Sequence, residues 1–262
     1  MTTVLVHVMF TLAGLVVGSF LNTVIVRVPA KEPLMAGKSR CPLCDAQIPL
    51  RDNIPLVSFV LLRARCRSCR GIIPFAYPLV EVANVVVWYL ALWRFGWTWE
   101  MAAFAVLFSV LLALSVIDLE LYILPNRITY PSILLSLAVI PMLAYGGADR
   151  PTMAIRNALV GGFGFAGFLL VTLILYELIV RKEGMGIGDV KLAMLLGLWI
   201  GFLDPVLVLY ALVAACVLGV VVGVVVLLAR RASQPYPFGP WLAIGAVAVI
   251  LASERILANI GR

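Results

Sequence analysis

The chain has 262 residues, 63% of them hydrophobic and 13% charged, with a mean hydropathy of +1.10. A soluble domain of this size is nearer half apolar and a quarter charged, so most of this chain belongs in lipid. The excess of 20 Lys and Arg over 13 Asp and Glu is no nucleic-acid signal, because the cations cluster in loops beside apolar runs, as the positive-inside rule expects.

Runs of about 17–25 apolar residues cross a bilayer as helices. By that rule the sequence predicts spans near 4–26, 77–93, 101–117, 128–145, 157–180, 190–203, 205–228 and 240–257. The expected fold is an all-α polytopic membrane protein of about eight transmembrane helices with a small zinc-ribbon-like cytoplasmic loop domain. The first run has no basic segment before it and no small-residue cleavage site before Arg27, so it reads as a retained span and not a secretion signal. His7, at the outer end of that span, reads as an interfacial histidine without chemistry. The sixth run is the shortest and ends at Asp204-Pro205. Glycine pairs such as Gly14 and Gly18, the set Gly161, Gly164 and Gly167, and Gly219 with Gly223 read as sites of close helix packing.

Placing the 27–76 loop in the cytoplasm puts 15 of the 20 cations on the inner side, which orients the chain N-out and C-out. Three domains follow: a first helix over 1–26, a four-cysteine domain over 27–76, and a multi-helix membrane domain over 77–262. The loop is too small to hold a core without a staple. It contains Cys41-Pro42-Leu43-Cys44 and Cys66-Arg67-Ser68-Cys69, with 21 residues between the pairs. Two C-x2-C knuckles at about this spacing signal a tetrahedral zinc site, and four thiolates close the metal's coordination so that it staples the fold. A thiol oxidoreductase fails on compartment, since the cytosol keeps thiols reduced. The fifth cysteine, Cys216, reads as a small buried apolar residue in a span.

Two carboxylates stand where an apolar chain has least reason to carry charge. Asp118 closes the run from Met101 to Ile117, and Asp189 ends Gly184-Met185-Gly186-Ile187-Gly188-Asp189. Ionisable groups at span ends are functional-site candidates. Singly, one would be an ordinary helix cap and the other an interfacial charge. Together, on one side of the membrane, they suggest a catalytic dyad. Two neighbouring carboxylates cannot both ionise cheaply, so one keeps a proton to polarise a carbonyl while the other takes a proton from water. Gly186 and Gly188 are then candidates for contact with a bound peptide, because glycine lets backbone approach backbone. The Leu124-Pro125-Asn126 turn follows Asp118.

The string from Lys182 to Leu192 resembles the GxGD motif of the type IV prepilin peptidases, which are membrane aspartic proteases. Gly18-Ser19-Phe20-Leu21-Asn22, Ser39-Arg40-Cys41-Pro42-Leu43-Cys44, Asn53-Ile54-Pro55-Leu56, Tyr77-Pro78-Leu79-Val80-Glu81 and Pro237-Phe238-Gly239-Pro240 resemble its other motifs, in order along nearly the whole chain. The resemblance implies a bifunctional enzyme of the bacterial inner membrane with Asp118 and Asp189 as its catalytic pair. Such an enzyme cleaves the leader of prepilins or pseudopilins at the cytoplasmic face. It then methylates the new amino terminus with S-adenosylmethionine, an activity associated with the cysteine domain. No Rossmann-type glycine fingerprint is present to locate that cofactor. Glu81, Asn84, Ser19 and Asn22, near the membrane face, are equally readable as interhelical hydrogen-bonding residues. The competing reading is a transporter with a carboxylate proton relay and a zinc-stapled partner-binding loop. No nucleic acid is expected as a partner.

Overall fold

The computed structural model describes residues 2–34, 39–41, 43–181, 186–230 and 237–261. The chain forms two compact units, residues 1–113 and 114–262, which divide within one helix. Eight long helices correspond to the eight expected spans, and no strand occurs among the described residues.

The first unit opens with α1 (Thr2–Arg27). The cysteine loop follows, with a single 3-10 turn at Leu50–Asp52 and a short helix α2 (Val57–Leu61). Then come α3 (Ala76–Phe95) and the first part of α4 (Trp99–Leu121). α1 packs along α3. The contact is closest at Gly18, where a β-carbon would lie 2.7 Å from the Glu81 Cα, and at Gly14, where it would lie 3.1 Å from Val85 Cγ2. That close approach lets the buried Asn84 donate to the Gly14 carbonyl at 2.8 Å while its own oxygen accepts from Ser109 at 2.7 Å. Ser109 in turn accepts from the Trp88 indole at 2.9 Å. Polar groups in a bilayer must satisfy one another, and this cluster does so. At the far end His7 stacks on Tyr89 beside Phe10 and Trp97, the aromatic setting of an interfacial residue.

The second unit contains the end of α4 and then α5 (Asn126–Gly147), α6 (Pro151–Val180), α7 (Ile187–Leu203), α8 (Leu207–Arg230) and α9 (Gly239–Asn259). Its centre is α7, which packs against α5, α6, α8 and α9. From Asp189 to Phe202 all but two of its residues are buried, as expected of a helix that is apolar on every face. At 17 residues it is about 26 Å long, shorter than a lipid-facing span needs to be. The other seven long helices are long and apolar enough to cross a membrane, which makes this a multi-pass membrane protein. α6 starts at Pro151, six residues before the apolar run at 157, because proline at the first helical position is preorganised for the helix and gives up no hydrogen bond.

The seam between α6 and α7 is backbone against backbone. A β-carbon on Gly197 would fall on the Gly161 carbonyl oxygen, and one on Gly161 would fall on that of Gly197. One on Gly201 would lie 2.9 Å from the Gly161 Cα. Gly162 instead makes room for the Leu198 side chain, which lies 2.8 Å from its β-carbon position. The expected packing role of Gly161 is therefore met, but Gly164 and Gly167 have no atom within 4 Å of a β-carbon position and do not share it. A hydrogen bond of 2.8 Å from the Trp199 indole to Ser136 pins α7 to α5. Cys216 is exposed on α8 and not buried; the residues of α8 that meet Gly245 of α9 are its neighbours Ala211 and Ala215.

This seam predicts a sharp contrast. Gly197→Leu should destabilise the detergent-solubilised protein by at least the roughly 1–3 kcal/mol of core overpacking, since backbone atoms cannot swing aside. Gly164→Leu should leave the thermal midpoint nearly unchanged. Equal midpoints for the two variants would contradict the seam.

Candidate functional site

Asp118 lies in the last turn of α4, one turn before Tyr122, whose φ of +57° ends the helix. Pro125 then caps α5 in an extended conformation. Asp189 is the third residue of α7, and Gly186 is the N-cap; the Asp189 N–H donates to the Gly186 carbonyl at 3.0 Å. Asp189 is thus a first-turn residue and not the cap itself. The two aspartates are 5% and 8% exposed, and the Asp118 carboxylate is near enough to act electrostatically on Asp189. Two buried acids from different helices thus stand within electrostatic reach of each other.

A third helix end joins them. The backbone N–H of Gly239, the first residue of α9, donates to Asp118 Oδ2 at 3.1 Å. Asp189 lies in the first turn of its own helix, and Asp118, at the C-terminal end of α4, is reached by the first N–H of α9; unpaired N–H groups at helix starts favour negative charge. A β-carbon on Gly239 would lie 2.6 Å from Asp118 Oδ2, so glycine is needed for this approach. The sequence had placed residues 237–240 in a motif without a function. No spacing rule links positions 118 and 239, and only the fold reveals the contact.

Gly186 and Gly188 differ. The backbone of Gly186 is ordinary extended chain, with φ −77°, and the nearest atoms to its β-carbon position are Gly188 N at 3.8 Å and Asp189 Oδ2 at 3.9 Å. Those are ordinary van der Waals contacts, so among the described residues nothing crowds Gly186 beside the carboxylate. Gly188 is covered by Leu124, whose Cβ is 3.0 Å from its β-carbon position, and Leu124 also touches the Gly239 position at 3.5 Å. Leu124 is thus the packing piece between α7 and α9. Neither glycine has a positive φ, so the need for glycine comes from space and not from unusual dihedrals. Gly184 and its neighbours 182, 183 and 185 lie outside the described residues. Lys191 donates to Asn126 Oδ1 at 2.8 Å and lies 5.0 Å over the Tyr130 ring, tying the start of α7 to the start of α5.

In the first unit, the four cysteine sulfurs lie within 4.8 Å of one another, and Cys41 and Cys69 are 3.9 Å apart. Sulfurs at about 2.3 Å from a tetrahedral ion would be about 3.8 Å apart, so the group can hold a metal ion. All four thiols are free. The two knuckles are built alike. Arg40 pairs with Gln47 and Arg65 with Ile72, and the residue after each second cysteine, Asp45 or Arg70, has a positive φ. The backbone N–H groups of Cys69 and Ser68 lower the Cys66 thiol to about 7, while Cys44 in the same hydrogen-bonded cluster is raised to about 11. Arg67 binds Asp52 through two hydrogen bonds of 2.7 Å, fastening the second knuckle to the 3-10 turn and holding the Asp52 carboxyl below its usual range. Pro42 lies outside the described residues.

Two family models match the chain. The bacterial peptidase A24 N-terminal domain covers residues 12–95, and the type IV leader peptidase family covers residues 105–224. Among curated relatives, the prepilin leader peptidase/N-methyltransferase of Stutzerimonas stutzeri is 36% identical over 271 residues, covering 94% of this chain and 90% of that protein. The protein of the same name from Pseudomonas aeruginosa is also 36% identical, with the same coverage. That from Neisseria gonorrhoeae is 33% identical over 268 residues, covering 93% and 89%. No solved structure matches.

The cysteine geometry predicts one thiophilic divalent ion per chain. Elemental analysis of purified protein should find it, and a strong chelator or low pH should release it, since ligation needs thiolates. Stable disulfides with no metal would overturn the site.

Proposed function

The chain belongs to the type IV leader peptidase family, and from that footing we propose that it removes the leader peptide from type IV prepilins or pseudopilins and then N-methylates the new amino terminus. The observation that carries the peptidase half is the pair of buried carboxylates, each met by a helix start and within electrostatic reach of the other.

Asp118 and Asp189 are the catalytic pair. Repulsion leaves the pair one proton between its members. The ionised member takes a proton from water as the oxygen adds to the scissile carbonyl carbon. The protonated member gives its proton to the carbonyl oxygen. Collapse of the tetrahedral species breaks the C–N bond, and the leaving nitrogen takes a proton from the acid that has just gained one. Gly239 holds Asp118 Oδ2 in register through its N–H. Gly186, beside the Asp189 carboxylate, is assigned to contact with the substrate backbone, while Gly188 serves by letting Leu124 close in.

Zinc is the metal we assign to Cys41, Cys44, Cys66 and Cys69. Four thiolates leave it no open position, so it braces the loop. The methyl donor is S-adenosylmethionine, which supplies a methyl group on a positively charged sulfur. We assign the active site to the cytoplasmic face of the bacterial inner membrane with both termini outside, a reading supported by the bias of Lys and Arg toward one set of loops. Lys38, one of those cations, lies outside the described residues. The transporter reading has no support in the comparisons, whose relatives bear peptidase and methyltransferase names.

Asp118→Asn and Asp189→Asn should each reduce leader cleavage by at least about a thousandfold while the protein still inserts, because an amide cannot shuttle the proton. Gly239→Ala should lower the rate less, by about ten- to a hundredfold, as its methyl displaces Asp118. The gel shift of a prepilin incubated with each variant measures this. Near-normal cleavage by either asparagine variant would sink the dyad.

A further inference from the structure

The loop between α1 and α3 has an outer face that neither the cysteine cluster nor the carboxylates use. On α2, Val57, Val60 and Leu61 fall at the i, i+3 and i+4 spacing of one helix face, and all three are exposed, Val60 by 71% and Leu61 by 76%. Their neighbours Ser58, Phe59 and Leu62 instead line a cavity within the first unit. The helix ends at Leu62, and Arg63 and Ala64 follow with φ of +51° and +57°, so a cationic stretch begins directly after the apolar face. Arg63, Arg65, Arg67 and Arg70 all lie within 63–70, and no Asp or Glu stands anywhere from Asn53 to Val80. Arg67 is taken up by Asp52. Arg63, Arg65 and Arg70 are exposed and form no ion pair among the described residues.

The depth of this face is set by α3. Phe59 packs edge-on against Phe75, with ring centroids 6.0 Å apart, and Phe75 is the N-cap of α3, one residue before the apolar span that starts at Ala76. α2 is thus held at the level where α3 enters lipid, and Phe75 is itself 69% exposed there. Apolar side chains in a row are a liability in water, but beside a bilayer they can bury themselves at the boundary between headgroups and acyl chains. The charge selects the partner, since unpaired arginines next to such side chains match anionic headgroups. We propose that this outer face, Val60 and Leu61 with Arg63, Arg65 and Arg70, seats on the anionic phospholipids of the membrane that the chain itself spans. Four thiolates around a divalent ion are net negative and offset part of the arginine charge nearby, yet the exposed guanidinium heads still face outward to a second anion. Seating holds the loop down at the membrane surface, the level at which a membrane-embedded substrate presents its terminus.

Hydrogen exchange of the full-length, metal-loaded protein, in nanodiscs of phosphatidylglycerol and in nanodiscs of phosphatidylcholine, tests the proposal. Amides of residues 57–65 should exchange at least about fivefold more slowly in the anionic lipid, the factor expected if even one arginine is engaged. The difference should vanish in about 1 M salt, where the screening length falls to about 3 Å. Arg63→Gln combined with Arg65→Gln should abolish most of it at unchanged metal content. The salt dependence is read on the wild type and does not rest on how the variant folds. Equal exchange in the two lipids overturns the proposal, as does protection that survives either the salt or the double substitution. Protection that appears only when a prepilin is added would assign the face to a protein and overturn it too.

Discussion

The second unit depends on the backbone contact between α6 and α7. Four glycines, Gly161 and Gly162 on one helix and Gly197 and Gly201 on the other, let the two backbones touch, with the Leu198 side chain seated over Gly162. In lipid no hydrophobic force drives helices together, so dense van der Waals contact must do it, and backbone-to-backbone approach gives the densest contact available. With α6 seated on one side, α5, α8 and α9 enclose α7 on the others. A helix surrounded by protein does not have to match the bilayer thickness. That freedom lets α7 be short, and a short helix has an N-terminus that need not reach the lipid headgroups. Asp189 stands in its first turn.

The same logic explains how two acids persist near the edge of an apolar medium. A carboxylate leaving water loses hydration worth many kcal/mol unless dipoles replace it. Here the replacement comes from helix ends. Asp189 lies in the first turn of α7, and Asp118, although on the last turn of α4, where the dipole disfavours it, is reached by the first N–H of α9. The glycine at position 239 is what makes that approach possible. Leu124 fills the space between Gly188 and Gly239, so the turn after Asp118 is also a spacer that sets the distance between two helix starts.

Much of this was legible in the sequence. Apolar run length alone located eight helices, because the hydrocarbon thickness fixes a narrow range of lengths. The paired C-x2-C spacing brought four thiols into one cluster, since knuckle geometry is local. The aspartates stood out by their cost in an apolar setting. What the sequence concealed was long-range. Gly197 and Gly201 carry the seam, yet nothing in their spacing says that their partners are Gly161 and Gly162 and not Gly164 or Gly167. That depends on which face of α6 meets α7. Gly188 and Gly186, two residues apart, look equivalent in sequence and differ only because Leu124 covers one of them. Cys216 was misjudged for the same reason: apolar character does not tell a helix face turned toward protein from one turned toward lipid.

The two chemistries are assigned to different parts of the chain, the carboxylates in the second unit and the four-cysteine loop in the first, and both act on the same substrate terminus. Intact mass spectrometry of a prepilin incubated with purified protein and S-adenosylmethionine tests that claim most directly. The account predicts a product that has lost its leader and gained one methyl group. Omitting the donor should give the cleaved, unmethylated form, because the aspartates need no methyl donor to hydrolyse a peptide bond. A substrate that keeps its leader mass in both reactions would contradict the account.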